Sequence, residues 1–166
     1  MPNVEYRGMN LIVPENDSEW KEYFQAARQH RLMMRKCAAC DLMRYPPTRA
    51  CPWCTALDWS WQEVSGGGTI YSYEIVVQAI QPGFRDWAPY PVVLAELDEQ
   101  RARPTPDEGL RMIANLVRPD FAPERDENVA IGRRVRVVFQ DLSPEIALPQ
   151  FTLTDEPAEG RLWRLV

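Results

Sequence analysis

Arg35-Lys36-Cys37-Ala38-Ala39-Cys40 is answered after a loop by Ala50-Cys51-Pro52-Trp53-Cys54. All 4 cysteines of the chain lie in these two knuckles, in the pattern C-x2-C-x10-C-x2-C. Two tight turns, each presenting a pair of thiolates, can enclose one metal ion when the loop between them lets the pairs converge. A closed shell of four sulfurs suits one structural Zn2+ and leaves no open position for a catalytic water. A single iron fits the same shell, and composition does not separate the two metals. A dithiol redox pair is the other reading, and two pairs at ribbon spacing weigh against it.

The flanks extend the pattern. Leu32-Met33-Met34-Arg35-Lys36 is predicted as a strand entering the first knuckle, and Leu42-Met43-Arg44-Tyr45 as its return, ended by Pro46-Pro47. Asp58 to Val64 alternates, with Trp59 and Trp61 on one face. Hairpin, knuckle, hairpin, knuckle, strand is the plan of a rubredoxin-like zinc ribbon. Upstream, Asn16-Asp17-Ser18-Glu19 supplies helix-capping residues and an early acid. Trp20, Tyr23, Phe24 and Ala27 then recur at i, i+3, i+4 and i+7, one apolar stripe on a helix predicted to reach about His30. Two readings of the stripe stand: it packs on the chain's own core, or part of it meets a partner subunit. Met1 to Pro14 is predicted as an extended arm.

Ser65-Gly66-Gly67-Gly68 marks the clearest boundary. It divides the chain into residues 1–64, carrying arm, helix and ribbon, and residues 65–166. The second part holds five strand-like segments: Thr69 to Val77, Val92 to Leu97, Leu110 to Val117, Arg134 to Gln140 and Gln150 to Thr154. Five strands with one long middle connection suit a small Greek-key barrel of the OB-fold type, with an SH3-like barrel as the alternative. The expected fold is mainly β: an N-terminal helix, a zinc ribbon, then a five-stranded OB-fold barrel with a C-terminal tail. Gln81 to Pro91 holds Phe84, Trp87 and Tyr90 among turn formers. Those rings either cap the barrel or form an adhesive surface. Glu99 to Glu108 reads as a solvated hairpin tip.

The chain has 166 residues, 45% hydrophobic and 26% charged, which fits one soluble domain or two small ones. Its net charge of -5 gives no bulk attraction to nucleic acid. Yet Arg28, Arg31, Arg35, Lys36, Arg44 and Arg49 form a basic cluster opposed only by Asp41. Residues Met1 to Tyr6 lack a leader pattern, and no apolar run approaches the roughly 20 residues that span a bilayer. A cytoplasmic, reducing setting without membrane contact is expected, where paired cysteines hold metal more often than disulfides. His30 is the single histidine and no cysteine is left over as a nucleophile, so catalysis by this chain alone is not expected. Ser65 to Gly68 is followed by no Lys-Ser/Thr and reads as a linker or bulge, not a phosphate loop. Single-stranded nucleic-acid binding is the runner-up, with Tyr71 and Tyr73 placed on one strand face as stacking candidates.

Tyr23-Phe24-Gln25-Ala26-Ala27-Arg28, the two knuckles, Trp59-Ser60-Trp61 and Ser65-Gly66-Gly67-Gly68-Thr69-Ile70-Tyr71 together resemble the zinc-ribbon/OB-fold family catalogued as domain of unknown function 35. Pro89 to Leu97 and Ile131 to Phe139 continue the likeness, which covers about residues 18 to 154. The resemblance implies an accessory subunit that docks on a thiolase-superfamily protein: a thiolase, an acyltransferase or an aldolase that shortens steroid side chains. It implies that the partner carries the catalytic residues and that the small protein helps form an acyl-CoA site. On this expectation Cys37, Cys40, Cys51 and Cys54 hold the metal, and Arg28, Arg31 and Arg35 meet CoA phosphates. Trp20, Tyr23, Phe24, Phe84, Trp87 and Tyr90 are the expected partner surface.

Overall fold

A computed structural model of the protein describes residues 3–14, 19–158 and 160–164. The expected caps Asn16, Asp17 and Ser18 lie outside the described residues. The N-terminal arm is a hairpin, β1 (Asn3–Tyr6) against β2 (Met9–Ile12). Its two-residue turn places Arg7 at φ 53° and Gly8 at φ 71°, the left-handed pair that a tight hairpin turn requires. Helix α1 (Lys21–Ala27) is shorter than the apolar stripe predicts. The chain tightens after it, with Gln29 N–H donating to Ala26 O and His30 N–H to Ala27 O, and His30 at φ 56° ends the turn.

The ribbon is a three-stranded antiparallel sheet, β4 (Met43–Arg44), β3 (Leu32–Cys37), β5 (Trp59–Val64), with β3 central. A second antiparallel sheet follows: β6 (Gly67–Val76), β7 (Tyr90–Leu97), β8 (Arg111–Asn115), β9 (Arg134–Ser143) and β10 (Ile146–Leu153). Its spatial order is β10-β9-β6-β7-β8. The two edges approach at one parallel bridge, where Val117 N–H donates to Phe151 O at 2.8 Å beside the Leu116–Phe151 pair. Only Ser65 and Gly66 separate ribbon from sheet. Gly66 has φ +76°, and a Cβ there would stand 2.1 Å from Val137 Cγ1, so no side chain fits where β6 begins to pair with β9.

One hydrophobic core runs through both units. Leu32, Met34 and Val64 of the ribbon join Ile70, Val93, Leu97, Met112 and Phe151 of the sheet. Tyr23 (3% exposed) plugs α1 into this core, Trp20 and Phe24 pack at its margin, and Ala27 (1%) is buried at the end of the same helix. Burying apolar surface contributes roughly 25 cal/mol per Å2, which is why the ribbon is not an independent bead on the sheet.

Three expectations change. The Gln81–Pro91 loop folds back on the N-terminal hairpin: Phe84, Trp87 and Tyr90 pack on one another, and the Arg7 guanidinium sits 4.2 Å from the Trp87 ring. Arg7 Nε donates to Gly83 O at 2.6 Å, and a Cβ on Gly83 would lie 2.3 Å from Arg7 O. Tyr71 and Tyr73 do not form a stacking face, because the register shifts between Ile70 and Ser72. Tyr73 is buried, and Tyr71 lies under the Arg111 guanidinium at 3.5 Å. The segment after β7 is not merely a solvated tip: residues 98–100 form one 3-10 turn whose last residue, Gln100, is buried.

That turn is anchored by charge. Arg134 grips Asp98 with two nitrogens, at 2.7 and 2.6 Å, and Arg101 reaches the same carboxylate at 2.6 Å. The Arg134 hydrogen bond holds the Asp98 carboxyl below the usual range, against the opposing effect of burial and with help from both arginine charges. Because the folded value is depressed, this stability is present above the ordinary Asp range and lost as pH falls through it. Half-exposure limits its size, so Asp98→Asn is expected to cost about 1 kcal/mol at pH 7. Urea unfolding across pH should show the difference from wild type shrinking below about pH 4.

Candidate metal centre

Both knuckles are built alike. Cys37 closes β3, its N–H donating to Leu42 O at 2.9 Å while Asp41 N–H donates back to Cys37 O at 3.1 Å. In the second knuckle Cys51 N–H donates to Ala56 O and Thr55 N–H to Cys51 O, both at 2.9 Å. The residue after the second cysteine turns left-handed in each, Asp41 at φ 65° and Thr55 at φ 63°. Aspartate tolerates this conformation, whereas β-branched threonine is strained there.

The turns bring the sulfurs together. Cys37 Sγ lies 3.6 Å from Cys54 Sγ, and Cys40 Sγ lies 3.5 Å from Cys51 Sγ. All four sulfurs fall within 4.8 Å of one another. A tetrahedral Zn2+ with arms of about 2.3 Å has edges of about 3.8 Å, so the donor set fits such an ion. The Cys40 N–H holds the Cys37 thiol down to about 6 although burial opposes it. The Leu42 N–H acts likewise on Cys40, but there burial and the neighbouring sulfurs push the thiol up to about 12. A bound dication requires all four sulfurs as thiolates, so its binding releases protons and weakens as pH falls.

The loop between the knuckles is held from the scaffold. Arg35 and Arg44 face each other across β3 and β4, and each is only 2% exposed. Both guanidinium groups donate to Thr48 O, Arg35 Nη1 at 3.2 Å and Arg44 Nε at 2.8 Å, and Arg44 Nη2 also reaches Arg49 O at 3.1 Å. The Arg35 guanidinium lies 3.9 Å from the Trp59 ring centre. Carbonyls just before Cys51 are thus fixed by the strands that carry Cys37, and the second knuckle is aimed at the first.

Other expected site residues are dispersed. Arg35 is enclosed in the ribbon, so it does not present its charge to a solvent-borne phosphate. Arg31 is at the surface and pairs with Glu63 at 2.7 Å. Arg28 is exposed just after α1, beside a surface hollow shared with His30 and Asp141. His30 stacks on Phe139 and its Nε2 meets Asp141 Oδ1 at 2.8 Å, tying the helix end to β9. Tyr23 and Trp87 are buried, while Trp20, Phe24, Phe84 and Tyr90 keep partly exposed edges.

Two features escape the sequence reading. Gln100 inserts its amide against β4, accepting from Met43 N–H at 2.6 Å and donating to Met43 O at 3.0 Å. Val77 (76% exposed) and Ile80 (91%) form an apolar projection beyond β6. Val77 falls at the end of the predicted strand Thr69 to Val77, which gives no sign that it projects into solvent, and Gln100 has no local signal at all. Among the described residues no helix is long and apolar enough to cross a membrane.

Residues 24–59 match the family model of the ChsH2 rubredoxin-like zinc ribbon domain, and residues 61–140 that of the ChsH2 C-terminal OB-fold domain. A probable enoyl-CoA hydratase alpha subunit of Thermomonospora curvata is 38% identical over 129 residues, or 78% of this chain. This chain spans only 35% of that subunit's length. A DUF35 domain-containing scaffold protein of Methanothermobacter thermautotrophicus is 29% identical over 81% of this chain and 88% of its own. Among solved structures, a chain of the Ltp2-ChsH2(DUF35) aldolase is 34% identical with a TM-score of 0.65, covering 82% of this chain and 95% of that one. With the ribbon, the sheet and these likenesses in agreement, the chain belongs to the ChsH2/DUF35 family of zinc-ribbon and OB-fold proteins.

Proposed function

We propose that this protein is a non-catalytic accessory subunit of an acyl-CoA-processing complex, holding one structural Zn2+ and pairing with a thiolase-superfamily protein. The observation that carries the reading is the 34% identity across 95% of a chain from an aldolase complex. The hydratase subunit name supports an acyl-CoA context. The closed sulfur shell supports a structural metal, with zinc the usual ion for such a ribbon. We take residues 1–64 and 65–166 as its two units, with the Leu116–Phe151 bridge supporting a barrel in the second.

The partner surface would combine the exposed edges of Trp20, Phe24, Phe84 and Tyr90 with the Val77–Ile80 projection, since large exposed apolar groups mark interfaces. Arg28 and Arg31 are the surface cations for CoA phosphates. The setting is cytoplasmic.

Co-purification from the native host tests the pairing. A thiolase-like protein should come down with this chain, and C–C bond cleavage or formation on an acyl-CoA should require both. Turnover by the purified chain alone, or its recovery without any such partner, would overturn the reading. Micromolar binding of single-stranded oligonucleotides at physiological salt would restore the nucleic-acid alternative. Elemental analysis should return zinc, and a red ferric-thiolate colour would replace it with iron.

A further inference from the structure

The ribbon encloses a positive charge that no carboxylate answers. Arg44 is 2% exposed; its Nε donates to Thr48 O at 2.8 Å and its Nη2 to Arg49 O at 3.1 Å. Its third nitrogen, Nη1, is buried with no hydrogen-bond partner among the described residues. Carbonyl oxygens satisfy donors but leave the charge of the guanidinium whole. Lys36, one position past Arg35 on β3, differs: it is partly exposed and has Asp41 at 2.9 Å. Enclosing a cation costs free energy that an opposite charge close by recovers.

The strand register shows where that opposite charge arises. Arg35 is the cross-strand partner of Arg44, and Cys37 follows Arg35 by two residues on β3. Cross-strand partners share a sheet face, as do residues two apart on one strand. Arg44, Arg35 and Cys37 therefore stand on one face of the ribbon. Arg49, whose carbonyl Arg44 holds, comes two residues before Cys51. The guanidinium is thus tied to the strand that carries the first knuckle and to the loop that enters the second. Four thiolates around one dication carry two net negative charges.

We infer that Arg44 is the counter-charge of the metal–thiolate shell: its enclosed guanidinium offsets the net negative charge of the loaded ribbon, besides tethering the loop. This rests on the shell being the zinc site proposed above. Arg35 also lies against Trp59 and reaches Glu19 O, so Arg44 is the residue that isolates the effect.

Citrulline separates charge from hydrogen bonding. It keeps Nε–H and one terminal NH2 and puts an oxygen in place of the other nitrogen, here the unpartnered Nη1. Arg44→citrulline can be assembled in the full chain by ligating segments at Cys40 and Cys51. Wild type, Arg44→citrulline, Arg44→Lys and Arg44→Met are then compared by competition for Zn2+ against a chelator at fixed pH. The near-ultraviolet circular dichroism of Trp59 and Trp61 at saturating zinc checks that each ribbon is folded. Arg44→citrulline should bind zinc at least about tenfold more weakly than wild type, the usual effect of losing a group just outside a ligand shell. Arg44→Lys, which keeps the charge without the fork, should bind better than Arg44→Met. Wild-type affinity in Arg44→citrulline, or Arg44→Lys binding no better than Arg44→Met, would reduce Arg44 to a loop tether and overturn the inference. The lysine and methionine variants decide the matter if the citrulline protein does not fold. A wild type that takes up no zinc would instead overturn the zinc reading itself, and the inference with it.

Discussion

Replacing Cys37 by serine is expected to abolish metal binding and unfold the ribbon. A serine hydroxyl does not ionise at neutral pH, so one corner of the tetrahedron is lost. A structural Zn2+ contributes on the order of 10–16 kcal/mol of apparent binding energy, more than the whole stability of most domains. The damage would spread, because Leu32 and Met34 on the same strand are part of the shared core. Metal per chain should fall from one to near zero. The near-ultraviolet circular dichroism of Trp59 and Trp61, which pack 5.6 Å apart beside Arg35, should collapse. A chelator, or acidification that protonates the thiolates, should do the same to the wild type. A zinc-free Cys37→Ser protein with intact tryptophan signals and an unchanged melting midpoint would refute the structural role.

Gln100→Ala should be the second most damaging change, although the side chain touches no metal. Gln100 acts as an extra strand partner for β4, taking the N–H and the carbonyl of Met43 at once. Removing it strands two buried backbone groups, each at a cost of about 1–3 kcal/mol, for a total of about 3–4 kcal/mol. The loss should fall on the join between the units. Amide exchange at Met43 should accelerate strongly while amides of β6 and β7 stay protected, and the urea midpoint should drop. A loss below about 1 kcal/mol, or uniform loosening of both units, would show that the core alone holds them together.

The metal site was readable from local sequence because its determinants are local. Each knuckle is closed by its own backbone within six residues, so cysteine spacing suffices to place two sulfurs of each pair. Strand periodicity likewise located the five strands of the sheet, with errors at their ends. The helix stripe identified Tyr23 and Ala27 as an inward face. Its end came early because the chain turns at His30, whose tie to Asp141 spans 111 residues.

Charge and burial were a different matter. Arg35 and Arg44 read as a basic surface cluster, yet both are buried, because Trp59 and the Thr48 and Arg49 carbonyls close over them. Gln100 sits in a stretch of acids, arginines and prolines that reads as solvent-exposed, and its partner Met43 is 57 residues away. Sequence by itself determined the ribbon, the strands and the metal donors, since each depends on spacing within a few residues. Tertiary structure alone decided which polar groups are enclosed and how the units are pinned. Those outcomes depend on which distant surfaces meet, and one residue's own chemistry does not record its neighbours.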